Sequence, residues 1–202
     1  LAVAIALATL NNVYAQTTEP AQATGLGDDW NTTPVFTIGE TIDGYTPPGI
    51  PDGMGAFERG ETVEILSNHE LRASEGYPYA LANGTSLTGA RVSKLVFDKA
   101  TRKLVEMGPA YDTIFDRAGD VVDDASDLDF DGLNRLCSAG SFVAGQAGFV
   151  DDMFLTGEET GGGTEFALDV ANGDLWAAPW LGRAAWESAA ALEIPGFNRT
   201  HV

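Results

Sequence analysis

The chain carries one cysteine, Cys137, in 202 residues. No internal disulfide can form, so stability must come from the core and from any bound ions. Basic residues are also scarce: 11 Lys and Arg stand against 30 Asp and Glu, a formal net charge of -19. That imbalance reverses the attraction to phosphate and argues against nucleic acid or an anionic membrane surface as a partner. It suits a protein that holds cations, and equally an acidic exported one. Histidine occurs only twice, which makes His69 a weak signal by itself. Long apolar runs are missing: Leu1 to Leu10, interrupted at Thr9, is too short to span a bilayer.

What the chain does contain is 44% hydrophobic residues with 24 Gly and 9 Pro. This is enough for one sizeable core, and the turn-flanked apolar runs lean towards β structure. Residues 1–16 read as the remnant of a secretory signal: the apolar run is followed by Val13-Tyr14-Ala15, a small-residue cleavage site before Gln16. Export to the periplasm or the medium is therefore expected. No Met or basic segment precedes the run, and the far end enters a new strand near Glu193. The chain accordingly reads as an open piece of a longer protein. Residues 17–33 read as a polar linker, and 34 to 202 as the N-terminal part of a β domain. Sequons at Asn31, Asn83 and Asn198 predict surface loops.

Strands are expected at Val35–Glu40 and Glu61–Glu70, with a turn-rich, irregular stretch at Tyr45–Gly53 between them. Arg91–Asp98 and Lys103–Met107 read as a hairpin. Phe154–Glu159, Glu165–Val170 and Leu175–Ala178 repeat the plan. Ser67-Asn68-His69-Glu70 thus corresponds to Thr156-Gly157-Glu158-Glu159. A strand ending in ligand-type residues, then a loop, then a hairpin, is how propeller blades repeat, and inner strand ends converge on one central site. An all-β propeller is the expected fold; a β-sandwich is the alternative.

Chemistry concentrates between Asn134 and Thr160. Cys137 is followed by Ser138, Ala139 and Gly140, small residues that allow a tight turn, and the stretch closes on Glu158 and Glu159. A thiolate and carboxylates brought together would bind a cation. A packed, inert cysteine beside two solvated glutamates is the other reading. Alternation along a strand puts Asn68 and Glu70 on one face and His69 on the other. Asp127, Asp129 and Asp131 before Gly132 resemble the start of a calcium loop, but the twelfth position is Ser138 rather than a bidentate Glu.

Ser67-Asn68-His69-Glu70, Asp131–Gly140 around Cys137, and Leu155-Thr156-Gly157-Glu158-Glu159-Thr160 together resemble the PhoX family of exported bacterial alkaline phosphatases. The likeness spans about two thirds of the chain. Cys137 is followed by Ser-Ala-Gly rather than Ala-Gly-Gly, and Gly157 stands where the family has a second cysteine. The resemblance implies part of a six-bladed propeller with a mixed iron–calcium cluster at its centre. Cys137 would match the iron-binding cysteine. Asn68, Glu70, Glu158 and Glu159 would supply ligands or supporting oxygens. The implied activity is hydrolysis of small phosphate monoesters, with further ligands later in the chain. Two other classes fit the same pattern: a non-catalytic surface propeller stabilised by calcium alone, and a calcium-dependent propeller esterase or lactonase. Only the phosphatase needs Cys137 at the metal.

Overall fold

The computed structural model describes residues 17–23 and 32–192. The signal remnant, the sequons at Asn31 and Asn198, and the strand expected after Glu193 lie outside the described residues. Within them the chain is almost entirely β, with only three single-turn 3-10 helices. Strand β1 (Pro51–Arg59) turns into β2 (Thr62–His69), and a small hairpin, β3 (Tyr79–Ala80) and β4 (Ser86–Leu87), follows. Strands β5 (Arg91–Asp98) and β6 (Leu104–Pro109) complete a four-stranded antiparallel meander in the order β1-β2-β5-β6. After β7 (Thr113–Phe115), strands β8 (Leu136–Phe142), β9 (Met153–Glu158), β10 (Glu165–Asp169) and β11 (Asp174–Ala177) form a second antiparallel meander. Strand β7 joins its outer edge in parallel with β11.

The two meanders pack face to face, with β1 against β8. Leu66, Val92, Ile114, Leu136, Phe154, Leu168 and Leu175 are buried between them in one core. A smaller cluster, Leu95, Leu104 and Met107, lies on the other face of the first meander under Val35, Phe36, Ile42 and Tyr45. The strand expected at Val35–Glu40 is not formed. Glu40 turns back on Thr37, its carboxylate accepting from the Thr37 amide at 3.1 Å while its own amide donates to the Thr37 carbonyl. Val35 and Phe36 cover the cluster from a loop instead. Thr17, in the expected linker, is buried, its hydroxyl 2.8 Å from Glu40 Oε1.

Two strands appear where sequence suggests turns, namely β1 within the Gly- and Pro-rich stretch and β8 at Cys137. Glycine explains both. A Cβ on Gly53 would lie 2.5 Å from Ser138 C and 2.7 Å from Cys137 O, and one on Gly55 would lie 2.6 Å from Ser141 Cβ. Two residues apart, these glycines give β1 a bare face, so its backbone lies directly on β8.

The meanders also begin alike. Ile50 and Arg135, just before β1 and β8, both adopt left-handed backbone with φ of 52°. Their carbonyls accept from the Glu70 and Glu159 amides, each at 2.9 Å. Pro51 then pairs with His69 and Leu136 with Glu158, and both first strands shift register over the next residues. Asp52 and Cys137 therefore stand at the same place in two copies of one frame, as do Glu70 and Glu159.

Candidate metal centre

The frame brings four of these side chains together. Atoms of Asp52, Glu70 and Cys137 that could bind a cation lie within 4.8 Å of one another, and so do those of Cys137, Glu159 and Glu187. Each first-strand bulge turns its residue, Asp52 or Cys137, towards the shared end of the meanders. Each second strand delivers a glutamate one residue past its last pair. Glu187 comes from the segment that follows β11, where Ser188 Oγ meets Ser138 Oγ at 2.8 Å.

Cys137 is buried at the middle of the set. Its thiol donates to Asp52 Oδ2 at 3.3 Å, with Glu187 Oε1 at 3.9 Å. Burial first, then the carboxylates of Asp52, Glu187 and Glu70, push this thiol up to about 12. Without a cation it holds its proton; one cation here would offset carboxylate repulsion and displace that proton. Arg135 is the local counter-charge: its Nε donates to Glu70 Oε1 at 2.9 Å and its Nη2 to Glu159 Oε2 at 2.5 Å. Among the described residues, four carboxylates and one thiol against a single guanidinium are a donor set that fits hard cations through oxygen and a softer one through sulfur.

The other expected ligands lie elsewhere. Asn68 is wholly buried, and its Nδ2 donates to Cys137 O at 2.7 Å, Ser138 O at 3.2 Å and Thr156 Oγ1 at 2.8 Å. It holds the β8 bulge in place, and its Oδ1 is enclosed with no donor among the described residues. Glu158 points away from Glu159, as adjacent strand residues must. It accepts the amides of Asn134 at 2.9 Å and Thr164 at 3.0 Å. Burial raises its carboxyl to about 7, against the pull of those two amides.

Asp127, Asp129 and Asp131 do not converge. Asp127 accepts the amides of Asp123 and Asp124 at 3.0 Å. Asp129 forms a fork with Arg183 at 2.6 and 2.8 Å. Asp131 sits at φ of 56°, and none of the three joins a cation-binding group among the described residues.

Gly157 has a steric reason of its own. A side chain there would run into the Trp186 Cβ and the Glu165 carboxylate, so a second thiol has no room. Glu165, opposite Gly157, is 2% exposed. Its Oε1 has no donor among the described residues, and burial alone lifts its carboxyl to about 7.

Asp52 and Glu187 were not legible as site residues from sequence. Asp52 could have been found by extending the repeat backwards, aligning Ile50-Pro51-Asp52-Gly53 with Arg135-Leu136-Cys137-Ser138. No such signal marks Glu187. No helix among the described residues is long and apolar enough to cross a membrane. Comparison with protein-family models, curated proteins and solved structures returned no match to this chain.

Proposed function

We propose that this chain is part of an exported, metal-dependent phosphomonoesterase resembling the PhoX family, built as consecutive blades of a β-propeller. The observation that carries this reading is the meeting of Cys137 with Asp52, Glu70, Glu159 and Glu187. The repeated frame supports the propeller: two four-stranded meanders in sequence, first strands in contact, are how neighbouring blades sit around an axis. Cys137 would hold iron, with Asp52, Glu70, Glu159 and Glu187 shared between iron and calcium. Bound cations would supply charge neutralisation at the phosphoryl oxygens and activation of the attacking oxygen. This chain's own residues would hold the cations, and Arg135 would keep Glu70 and Glu159 from repelling each other before loading. Asn68 would act through the backbone by fixing Cys137.

A calcium-only site, catalytic towards another ester or not catalytic at all, is the second reading. The four carboxylates to one thiol and the lack of room for a second thiol at Gly157 favour it. Elemental analysis of the purified intact protein, combined with turnover of an aryl phosphate, separates the two. Iron together with calcium and phosphomonoester turnover is the expected result. Calcium alone, without such turnover, overturns the phosphatase and leaves the second reading.

A further inference from the structure

On the opposite face of the first meander lies a buried cation without a carboxylate partner among the described residues. Arg91 pairs in register with His69 across β2 and β5, and both point away from the side on which Asn68 meets Cys137. Arg91 is 2% exposed, yet no carboxylate among the described residues pairs with it. Its Nη2 donates to the Tyr77 carbonyl and, at 3.5 Å, to that of Gly89. Its Nε is enclosed without an acceptor. The guanidinium carbon sits 4.2 Å from the centre of the Tyr79 ring. Among the described residues, a guanidinium held this way has lost its water without gaining a counter-ion, an unfavourable exchange.

The neighbouring groups are uncharged. His69 Nδ1 meets the Gly49 carbonyl at 3.0 Å and its Nε2 meets Ser93 Oγ at 2.7 Å. Ser93 Oγ in turn meets the Tyr45 hydroxyl at 2.7 Å. A neutral imidazole that donates from Nδ1 to the carbonyl and accepts at Nε2 from the hydroxyl fits both contacts. Beside Arg91 opens a cleft of about 540 Å³, walled by Tyr45, Tyr77, Pro78, Tyr79 and Pro109, in which, among the described residues, Arg91 is the only charged one.

We infer that this cleft binds a small organic monoanion, a carboxylate carried on an apolar or aromatic body. The fork of a guanidinium matches a carboxylate, and tyrosine and proline walls suit a flat apolar body. One cation balances one negative charge. A dianion such as phosphate would remain half unmatched inside a chain of net charge -19. The site is separate from the metal centre and stands whether or not that centre holds metal.

Calorimetric titration of the full chain with benzoate and benzamide tests the inference. Benzoate should saturate with a dissociation constant on the order of 1 mM, with benzamide about tenfold weaker or worse. Arg91→Gln should abolish benzoate binding. Since that change also removes the bonds to the Tyr77 and Gly89 carbonyls, Tyr77→Ala gives a second reading: Tyr77 is 47% exposed, and its loss should weaken benzoate several-fold in a folded protein. Benzoate binding no better than benzamide, no saturation, or an unchanged affinity in Tyr77→Ala would each overturn the assignment.

Discussion

Asp52 and Cys137 occupy one place in two copies of the same frame, and their surroundings agree down to the left-handed residue that precedes each strand. One offers a hard oxygen and the other a sulfur. Backbone geometry therefore decides where a donor stands, while residue type decides which cation it prefers. The rest of the frame diverges in the same manner. His69 and Glu158 close the second strands of the two meanders; one is buried neutral with its pKa lowered, the other buried with its pKa raised. Val92 and Glu165 are likewise matched positions on the third strands. Val92 packs in the core between the meanders, while Glu165 is buried with one oxygen lacking a donor among the described residues.

The largest effect should follow from erasing the sulfur. Cys137→Ser in the intact protein should remove the iron and lower phosphomonoester turnover by roughly a thousandfold or more, since the soft donor becomes a neutral hydroxyl. Iron content and turnover measured on the folded variant decide this. If Cys137 is only packed, the change costs about 1–3 kcal/mol and turnover per folded molecule survives.

Next comes the contact that brings the two copies together. Gly53→Val would drive a branched side chain into the β8 backbone beside Cys137 and should destabilise the fold by about 3 kcal/mol. Urea unfolding measures it. A loss under about 0.5 kcal/mol would mean that the strands can separate freely and that the donors are not set by this contact.

Glu165→Val would make the second meander match the first at this position. A carboxyl whose pKa rises to about 7 on folding from a reference of 4.5 destabilises as pH climbs through that window and does nothing below it. The substitution should therefore stabilise by about 3 kcal/mol at pH 8 and by much less at pH 4.5. Equal effects at both values would show that Glu165 has a partner that keeps it ionised. His69 runs the other way. Its stabilising neutrality is present above about 6.5 and is lost as pH falls towards about 4.

The smallest effect concerns Arg135. Arg135→Gln frees Glu70 and Glu159 from their ion pairs and should tighten calcium binding by about tenfold. Weaker calcium binding would mean that the guanidinium is needed to place the carboxylates.

Much of this was readable in the residues. β2, β5, β6, β9, β10 and β11 alternate apolar side chains around plain turns, and each was expected within one or two residues of where it lies. β1 and β8 were not, because strand patterns are carried by side chains and these strands meet through glycine and small residues. Glu70, Cys137 and at least one of Glu158 and Glu159 were expected to converge; Glu70 and Glu159 each lie beside Cys137. Glu158 was named beside Glu159 although strand alternation allows only one of the pair to face the cluster. Asn68 was named as a ligand for its chemistry, but a buried amide needs its own partners first, and it finds three of them. Arg91 was read only as the start of a hairpin. Its isolation depends on which loops close over it, and no local pattern in β5 records that.

The thiol of Cys137 and the carboxylate of Asp52 touch across 85 positions of chain. Any cation held by both would tie a loop of that length. Closing such a loop in advance removes conformational freedom chiefly from the unfolded chain, and for a covalent link of comparable span the gain is about 4–5 kcal/mol. A reversible ionic tie acts in the same direction as long as the cation stays bound. An acidic chain without disulfides would then have a clasp whose strength follows the cation content of its surroundings, and its lifetime before unfolding would lengthen or shorten with that supply.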